Sequence, residues 1–249
     1  MSNADAALAA RLATEAGAVL LRVRRDLGSA SHDAGAAGDH AAQELLSAAL
    51  AAERPDDAVL SEEGVDHLAR LTADRVWIID PLDGTREFAE GRSDWAVHVA
   101  LWAGGELIAG AVALPGLGRT LSSEPAAQLP ARRSADIRIA VSRSRPPAVA
   151  QHAAASLPAE LVPMGSAGCK VSAVVLGEVD AYVHAGGQYE WDSAAPVAVA
   201  RAAGLHASRL DGSPLRYNQA DPYLPDLLVA RPELANVLLN ACAIQEPAR

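Results

Sequence analysis

At 249 residues, half of them hydrophobic, the chain has enough apolar material for a substantial core. Its 31 acidic residues outnumber 21 basic ones, for a formal net charge of -10, which argues against a nucleic-acid groove because phosphate backbones need a basic surface. Cys169 and Cys242 form no ligand or disulfide pattern, the N-terminus lacks a basic-then-apolar leader, and no run of about 18 apolar residues exists to span a bilayer, so a cytoplasmic protein without nucleic-acid or membrane partners is expected.

From the N-terminus, Leu8, Leu12, Val19 and Val23 fall near helical spacing, and that segment stops at Gly28. A Gly/Ala-rich loop is expected next, with Asp39 heading a second helix over "HAAQELLSAALAAERP". "AVLSEE" and "RVWIID" read as short apolar strands that end on acids. "WAVHVALW" and "ELIAGAVALP" read as a meander turning at Gly104-Gly105. Residues 122–136 carry two prolines and no periodicity, and they divide an N-terminal part, 1–130, from a C-terminal part, 131–249. Beyond them strands and helices alternate: "IRIAVS", a helix from about Pro146, "LVPMG", a helix through "KVSAVVLG", "DAYVHA", a helix after Trp191, "DLLVA" and a last helix. The first part is expected to be α+β and the second α/β.

The chemistry is concentrated in "IIDPLDGT". The strand delivers Asp80 at its carboxyl end, and Pro81 stiffens a turn that can point Asp83 into the same pocket. Gly84 permits close backbone approach, and Thr85 opens a helix whose free N–H groups favour phosphate. A strand exit with solvated aspartates and a helix cap is the plain alternative. Two further acidic segments bear on that choice, Glu62-Glu63 after the first strand and Asp192 in "EWDSAAP". Should they converge, each like-charge pair at about 4 Å costs roughly 4 kcal/mol at an effective dielectric of about 20. Such a cluster persists only when protonated or neutralised by cations, and all-oxygen ligation selects Mg²⁺ or Mn²⁺.

Glu62-Glu63, "DPLDGT" and "WDSAA", in that order, resemble the motifs of the inositol monophosphatase superfamily, from the first helix to about Ala230. Within it "GGQYEWDSAAP", "VSRSR" and "GSPLRYN" are most similar to the CysQ-type 3'(2'),5'-bisphosphate nucleotidases. The resemblance implies an α-β-α-β-α layered sugar-phosphatase fold, commonly a homodimer, with Li⁺ sensitivity. It implies a small phosphorylated substrate, adenosine 3',5'-bisphosphate (PAP) with its sulfated relative as an extension, in sulfate assimilation. Glu62, Asp80 and the Leu82 carbonyl would hold one Mg²⁺, and Asp80, Asp83 and Asp192 a second, with a third, weaker ion beside Glu62 in the family pattern. Thr85 and Asp39 would orient the attacking water, Glu63 would contact metal-bound water, and the Gly84 and Thr85 amides would take phosphate oxygens. These ligands also line the substrate, so Glu62, Leu82, Asp83 and Asp192 count among its contacts. Ser166 and Lys170 of "GSAGCK" would meet the 5'-phosphate, with Ser142, Ser144 and Arg145 on the nucleotide side.

Departures and rivals remain open at this level. "SHDAGAAGD" lacks the lysine and threonine that precede Asp39 in the family, and on the residues alone Asp39 is a helix N-cap. Lys170 is the only lysine, which sets a functional cation against a surface residue at a helix start. Inositol-specific members carry an acid where this chain has Ala185, and His184 reads as structural. The haloacid-dehalogenase pattern "DxDGT" is off by one residue here. Inositol-1-phosphatase, fructose-1,6-bisphosphatase and a regulatory binding protein on a phosphatase fold are the alternatives.

Overall fold

The structure is a computed structural model that describes residues 3–28, 34–132 and 134–243. Helix α1 (Asn3–Leu27) buries Leu8, Leu12, Ala16 and Leu20, while Val19 and Val23 of the expected stripe are half-buried. The loop expected after Gly28 falls on residues 29–33, outside the described residues, but from Ala34 its Gly/Ala run is helical. Helix α2 spans Ala34–Glu53, so Asp39 lies inside it and is not its N-cap. The physical reason is close packing. A Cβ on Gly35 would come within 2.8 Å of the Thr85 methyl, and one on Gly38 within 3.2 Å of Leu20, Phe88 and Leu82. Small residues let the helix press on the "DPLDGT" turn, and that burial outweighs the weak helix propensity of glycine.

Strands β1 (Ala58–Ser61), β2 (Arg75–Asp83), β3 (Ala96–Ala103), β4 (Glu106–Leu114) and β5 (Arg119–Ser122) form the first sheet in that order. β1 and β2 run parallel and the other pairs antiparallel. β5 has no counterpart in the sequence reading, because Leu121 is its single buried residue and one apolar side chain sets no alternation. The short helix α3 (Thr85–Ala89) follows β2 directly. After β5 the chain runs to β6 at Ile137 with one isolated bridge, Ser123 to Ala126, among the described residues.

The second sheet contains β6 (Ile137–Ser142), β7 (Ala159–Met164), β8 (Ala181–Tyr189), β9 (His206–Ser208) and β10 (Tyr223–Ala230), in the order β7-β6-β8-β10-β9. Its helices are α4 (Ala148–Ser156), α5 (Ala167–Val175), α6 (Glu190–Ala202) and α7 (Pro232–Ala243). Three apolar clusters separate five layers, α-β-α-β-α. Leu12, Leu20 and Leu46 pack on Trp77, Ile79 and Val97 at the outer face of the first sheet. Val76, Ile78 and Ala100 on its inner face meet Val171, Val174 and Val197 of α5 and α6, which also meet Tyr182 and Leu227 of the second sheet. Val149 and Leu238 cover the far face through Ile139 and Val183.

Strand parity now aims the site. Side chains alternate across a sheet. Odd residues Trp77 and Ile79 face α1 and α2, while even residues Val76 and Ile78 face α5 and α6. The next even residue is Asp80, and its register partner on β3 is His98. The apolar strand therefore ends by pointing a carboxylate and an imidazole into the central layer.

Candidate active site

The "DPLDGT" acids are fixed differently, although only Pro81 and Leu82 separate them. The ladder between β2 and β3 shifts register between Asp80 and Asp83, and this irregularity turns both carboxylates inward. Asp80 is fully buried; its Oδ1 accepts the Leu82 N–H at 3.0 Å, and Oδ2 has no hydrogen-bond partner. Burial, then the charges of Glu62, Asp83, Asp192 and Asp39, raise its pKa well above the ordinary range. Burial acts in the same sense on Asp83. It is overcome by His98, whose Nε2 lies 3.2 Å from Oδ2, and by the Ser166 hydroxyl at 2.5 Å, leaving Asp83 at about 2. The Gly168 N–H, in the first turn of α5, also donates to Oδ2 at 2.6 Å. All three contacts use one oxygen, so Oδ1 is the atom Asp83 has left to offer.

Gly84 follows with φ +92°, a left-handed conformation that only glycine adopts without strain. It lets α3 start at Thr85, whose hydroxyl donates to the Leu82 carbonyl at 3.1 Å. Asp39 reaches the same turn from α2. Burial and then the Glu63 charge push it up to about 7, opposed by the neighbouring Thr85 hydroxyl, and its Oδ1 is buried without a partner.

Asp192 enters from the other half as a first-turn residue of α6, where its Oδ2 accepts the Tyr189 N–H at 2.6 Å. Burial and Asp83 raise it to about 6. Asp80, Asp83 and Asp192 each present a carboxylate oxygen within 4.8 Å of the others. Glu62 stands outside this triad at the solvent edge. Its side chain is exposed, yet desolvation and the charges of Asp192 and Asp39 lift it to about 7. Glu63 is exposed and touches the site through its charge on Asp39.

Buried carboxylate oxygens without partners are costly, and several in one space more so. The Asp80 and Asp39 atoms, with the triad, are what an oxygen-coordinated divalent cation would satisfy. The residues present fit such an ion. Asp83 and Asp192 also line a cleft of about 310 Å³. A larger hollow of about 560 Å³ lies beside the edge strand β1, but none of the converging acids lines it, so the chemistry belongs to the smaller one.

The rest of the cleft lining is cationic. Lys170 is no surface residue: it is 6% exposed, inside α5, with its Nζ 5.2 Å from the centre of the Tyr182 ring. Burial lowers its pKa, partly offset by Asp83. Arg86, Arg143, Arg145, Ser142 and Ser144 complete that side. The Arg143 guanidinium is already held by Glu87 at 2.9 Å and Glu90 at 2.8 Å. Ser166 lines the cleft, but its hydroxyl donates to Asp83 and accepts the Cys169 N–H, capping α5. His184 lines it too, while Ala185 packs on the outer cluster away from it.

His98 was missed in the sequence. The signal was there, as one polar residue at an inward position of the apolar run "WAVHVALW". It is completely buried, accepted by the Trp191 carbonyl at 3.0 Å, and wedged by Gly168, where a Cβ would come within 2.1 Å of its Nε2.

Comparison with known proteins places this arrangement. Residues 3–243 match the model of the inositol monophosphatase family. The chain belongs to that family. Within it, a protein of Mycobacterium bovis called 3'-phosphoadenosine 5'-phosphate phosphatase is 57% identical over 239 residues, covering 92% of this chain and 90% of its own. The 3'(2'),5'-bisphosphate nucleotidase CysQ of Escherichia coli is 33% identical over 76% of this chain and 81% of its own. The crystal structure of CysQ from Bacteroides thetaiotaomicron, 28% identical, superposes with a TM-score of 0.80 over 92% of this chain and 97% of that one. The family fold expected from the motifs is the fold observed. Among the described residues no helix is long and apolar enough to cross a membrane.

Proposed function

We propose that the protein is a Mg²⁺-dependent phosphatase that removes the 3'-phosphate of PAP, giving AMP and phosphate. One observation carries the metal part of this reading: three convergent carboxylates with an unpartnered buried oxygen at Asp80 beside a cleft of about 310 Å³. The names of the mycobacterial relative and of CysQ support the substrate. Lys170 in the same cleft supports it independently, because PAP carries a second phosphate that a cation outside the metal ligands can meet.

Asp80, Asp83 and Asp192 would hold the metal ions, with Glu62 and the Leu82 carbonyl completing the set; a carbonyl that accepts from Thr85 keeps a second lone pair for this. Bound Mg²⁺ supplies positive charge that acidifies water and offsets charge on the departing ribose oxygen, and Mn²⁺ can supply the same. The protein's own groups do the rest. Asp39, poised at about 7 beside the Thr85 hydroxyl, takes a proton from the attacking water at its free Oδ1. Glu63 adds a charge that keeps Asp39 basic. The Gly84 and Thr85 N–H groups, at the start of α3, donate to phosphate oxygens. Ser166 acts on substrate chiefly by fixing Asp83 and the first turn of α5, which carries Lys170.

Phosphate release from PAP, inositol 1-phosphate and fructose 1,6-bisphosphate, with Mg²⁺ and with EDTA, tests both halves. PAP should be preferred and EDTA should abolish release. A preference for inositol 1-phosphate overturns the nucleotidase reading, and EDTA-resistant turnover overturns the metal reading.

A further inference from the structure

Two stretches that the proposed chemistry does not use, around Glu190 and around Asn218, interlock beside the acids. Glu190 is the first residue of α6 and is 1% exposed. Its carboxylate accepts the Asn218 N–H at 2.6 Å and the Gln219 N–H at 2.7 Å, while its own N–H donates to the Pro222 carbonyl. Asn218 sits at φ +59°, in the left-handed region that asparagine tolerates better than most residues. Its side chain faces Arg70, which is also 1% exposed. Arg70 Nη1 donates to Asn218 Oδ1 at 2.7 Å, Nη2 to the Gln219 carbonyl at 2.9 Å, and Asn218 Nδ2 donates back to the Arg70 carbonyl at 3.1 Å. The remaining Arg70 edge grips Asp66 through Nε at 2.8 Å and Nη2 at 3.0 Å.

The clamp joins two segments that each carry an acid of the site. Arg70 and Asp66 close the segment that follows Glu62, and Glu190 begins the turn that contains Asp192. We propose that Arg70, Asn218 and Glu190 are positioning residues that set the separation of Glu62 from Asp192, and so the affinity of the cation site on the Glu62 side. This rests on the reading of the acids as a divalent-cation site. A buried guanidinium with fixed forked geometry transmits position well, because none of its donors can move without losing a partner. Outer partners of metal ligands commonly govern affinity by about 10- to 100-fold.

Asn218→Gly is the clean probe. Glycine keeps the left-handed backbone and the N–H donated to Glu190, and removes only the two side-chain links to Arg70. Mn²⁺ binding followed by loss of the free-ion electron paramagnetic resonance signal should show one class of site weakened by about 10-fold or more. Mg²⁺ needed for half-maximal turnover should rise in parallel, with kcat recovered at saturating Mg²⁺. Arg70→Lys, which keeps the charge but not the fork, should shift binding in the same direction. An unchanged Mn²⁺ isotherm in folded Asn218→Gly protein, whatever happens to its Tm in EDTA, overturns the proposal and leaves the clamp as scaffolding. Wild-type protein that binds no Mn²⁺ overturns the cation reading itself, and the clamp's role with it.

Discussion

The two walls of the cleft are both charged, but they depend on ligands to different degrees. The acidic wall is assembled from α2, β2, α6 and the segment after β1, and it leaves the Asp80 Oδ2 and Asp39 Oδ1 atoms buried without partners. The basic wall largely satisfies itself: Arg143 is paired with Glu87 and Glu90, and Lys170 lies over the Tyr182 ring. One wall therefore requires an external cation to be stable as charge, whereas the other offers an anion only a modest increment. Losses on the acidic wall should fall on turnover, and those on the basic wall on binding.

The largest effect is expected at Asp80. Asp80→Asn keeps the size and the acceptor for the Leu82 N–H but removes the central ligand charge. Turnover should fall by about a hundredfold or more, since even outer partners of a metal cost about 10- to 100-fold. Removing a buried charge whose form is disfavoured should also raise the metal-free Tm, and the gain in Tm on adding Mg²⁺ should disappear. Phosphate release and thermal melts with and without EDTA measure both. Near-normal turnover in this variant would break the contrast between the walls.

Asp83→Asn should lose turnover on a similar scale for a different reason. Asp83 is held at about 2 by His98 and Ser166, so it is already a carboxylate without metal. Its amide would leave His98 and the Ser166 hydroxyl competing for a weaker acceptor, and the metal-free Tm should fall where that of Asp80→Asn rises. Opposite signs in EDTA for two aspartates of one turn would sharpen the comparison considerably.

How much of this was legible in the sequence depends on distance along the chain. Asp80, Asp83 and Gly84 were readable because an apolar strand, a proline and a glycine dictate their geometry within eight residues of "IIDPLDGT". Asp192 was readable from its motif, and it stands in the first turn of α6, which begins two residues earlier than expected, at Glu190. Asp39 was misplaced at a helix start, because a Gly/Ala run has the local statistics of a loop and becomes helical only through packing on Thr85 and Phe88. Arg70 reaches Asn218 across 148 residues, and no local pattern announces such a pairing. His98 was hidden for the same reason: its meaning depends on a register with Asp80 that only the sheet supplies.

On the basic wall, Lys170→Met should raise KM for PAP by about 10- to 150-fold, the equivalent of roughly 1.5–3 kcal/mol for a charge-assisted contact. Turnover at saturation should change little, because the acids are intact. Inositol 1-phosphate has no second phosphate and should be hydrolysed almost as before. Equal loss on both substrates would make Lys170 a packing residue and remove the functional difference between the walls.

The smallest effect needs no substrate. In metal-free protein Asp39 and Glu62 stand at about 7 and Asp192 at about 6, against ordinary values of 3.8, 4.5 and 3.8. A raised carboxyl binds its proton more tightly in the folded state, so its stabilising contribution is complete below about pH 4 and is lost as pH rises through 6 to 7. His98 works in the same direction: burial lowers it, but Asp83 raises it more, and that contribution too is lost as pH rises through its folded pKa. Asp83 is depressed to about 2, so its contribution is lost only when pH falls below about 4, outside this window. Tm in EDTA should therefore drop between pH 5 and pH 8, by on the order of 5 °C for a chain of this size. Mg²⁺ binds the deprotonated acids, so the increase in Tm that it produces should be larger at pH 8 than at pH 5. A metal-free Tm that holds or rises across that window would mean the acids are solvated, and the acidic wall would then need no cation at all.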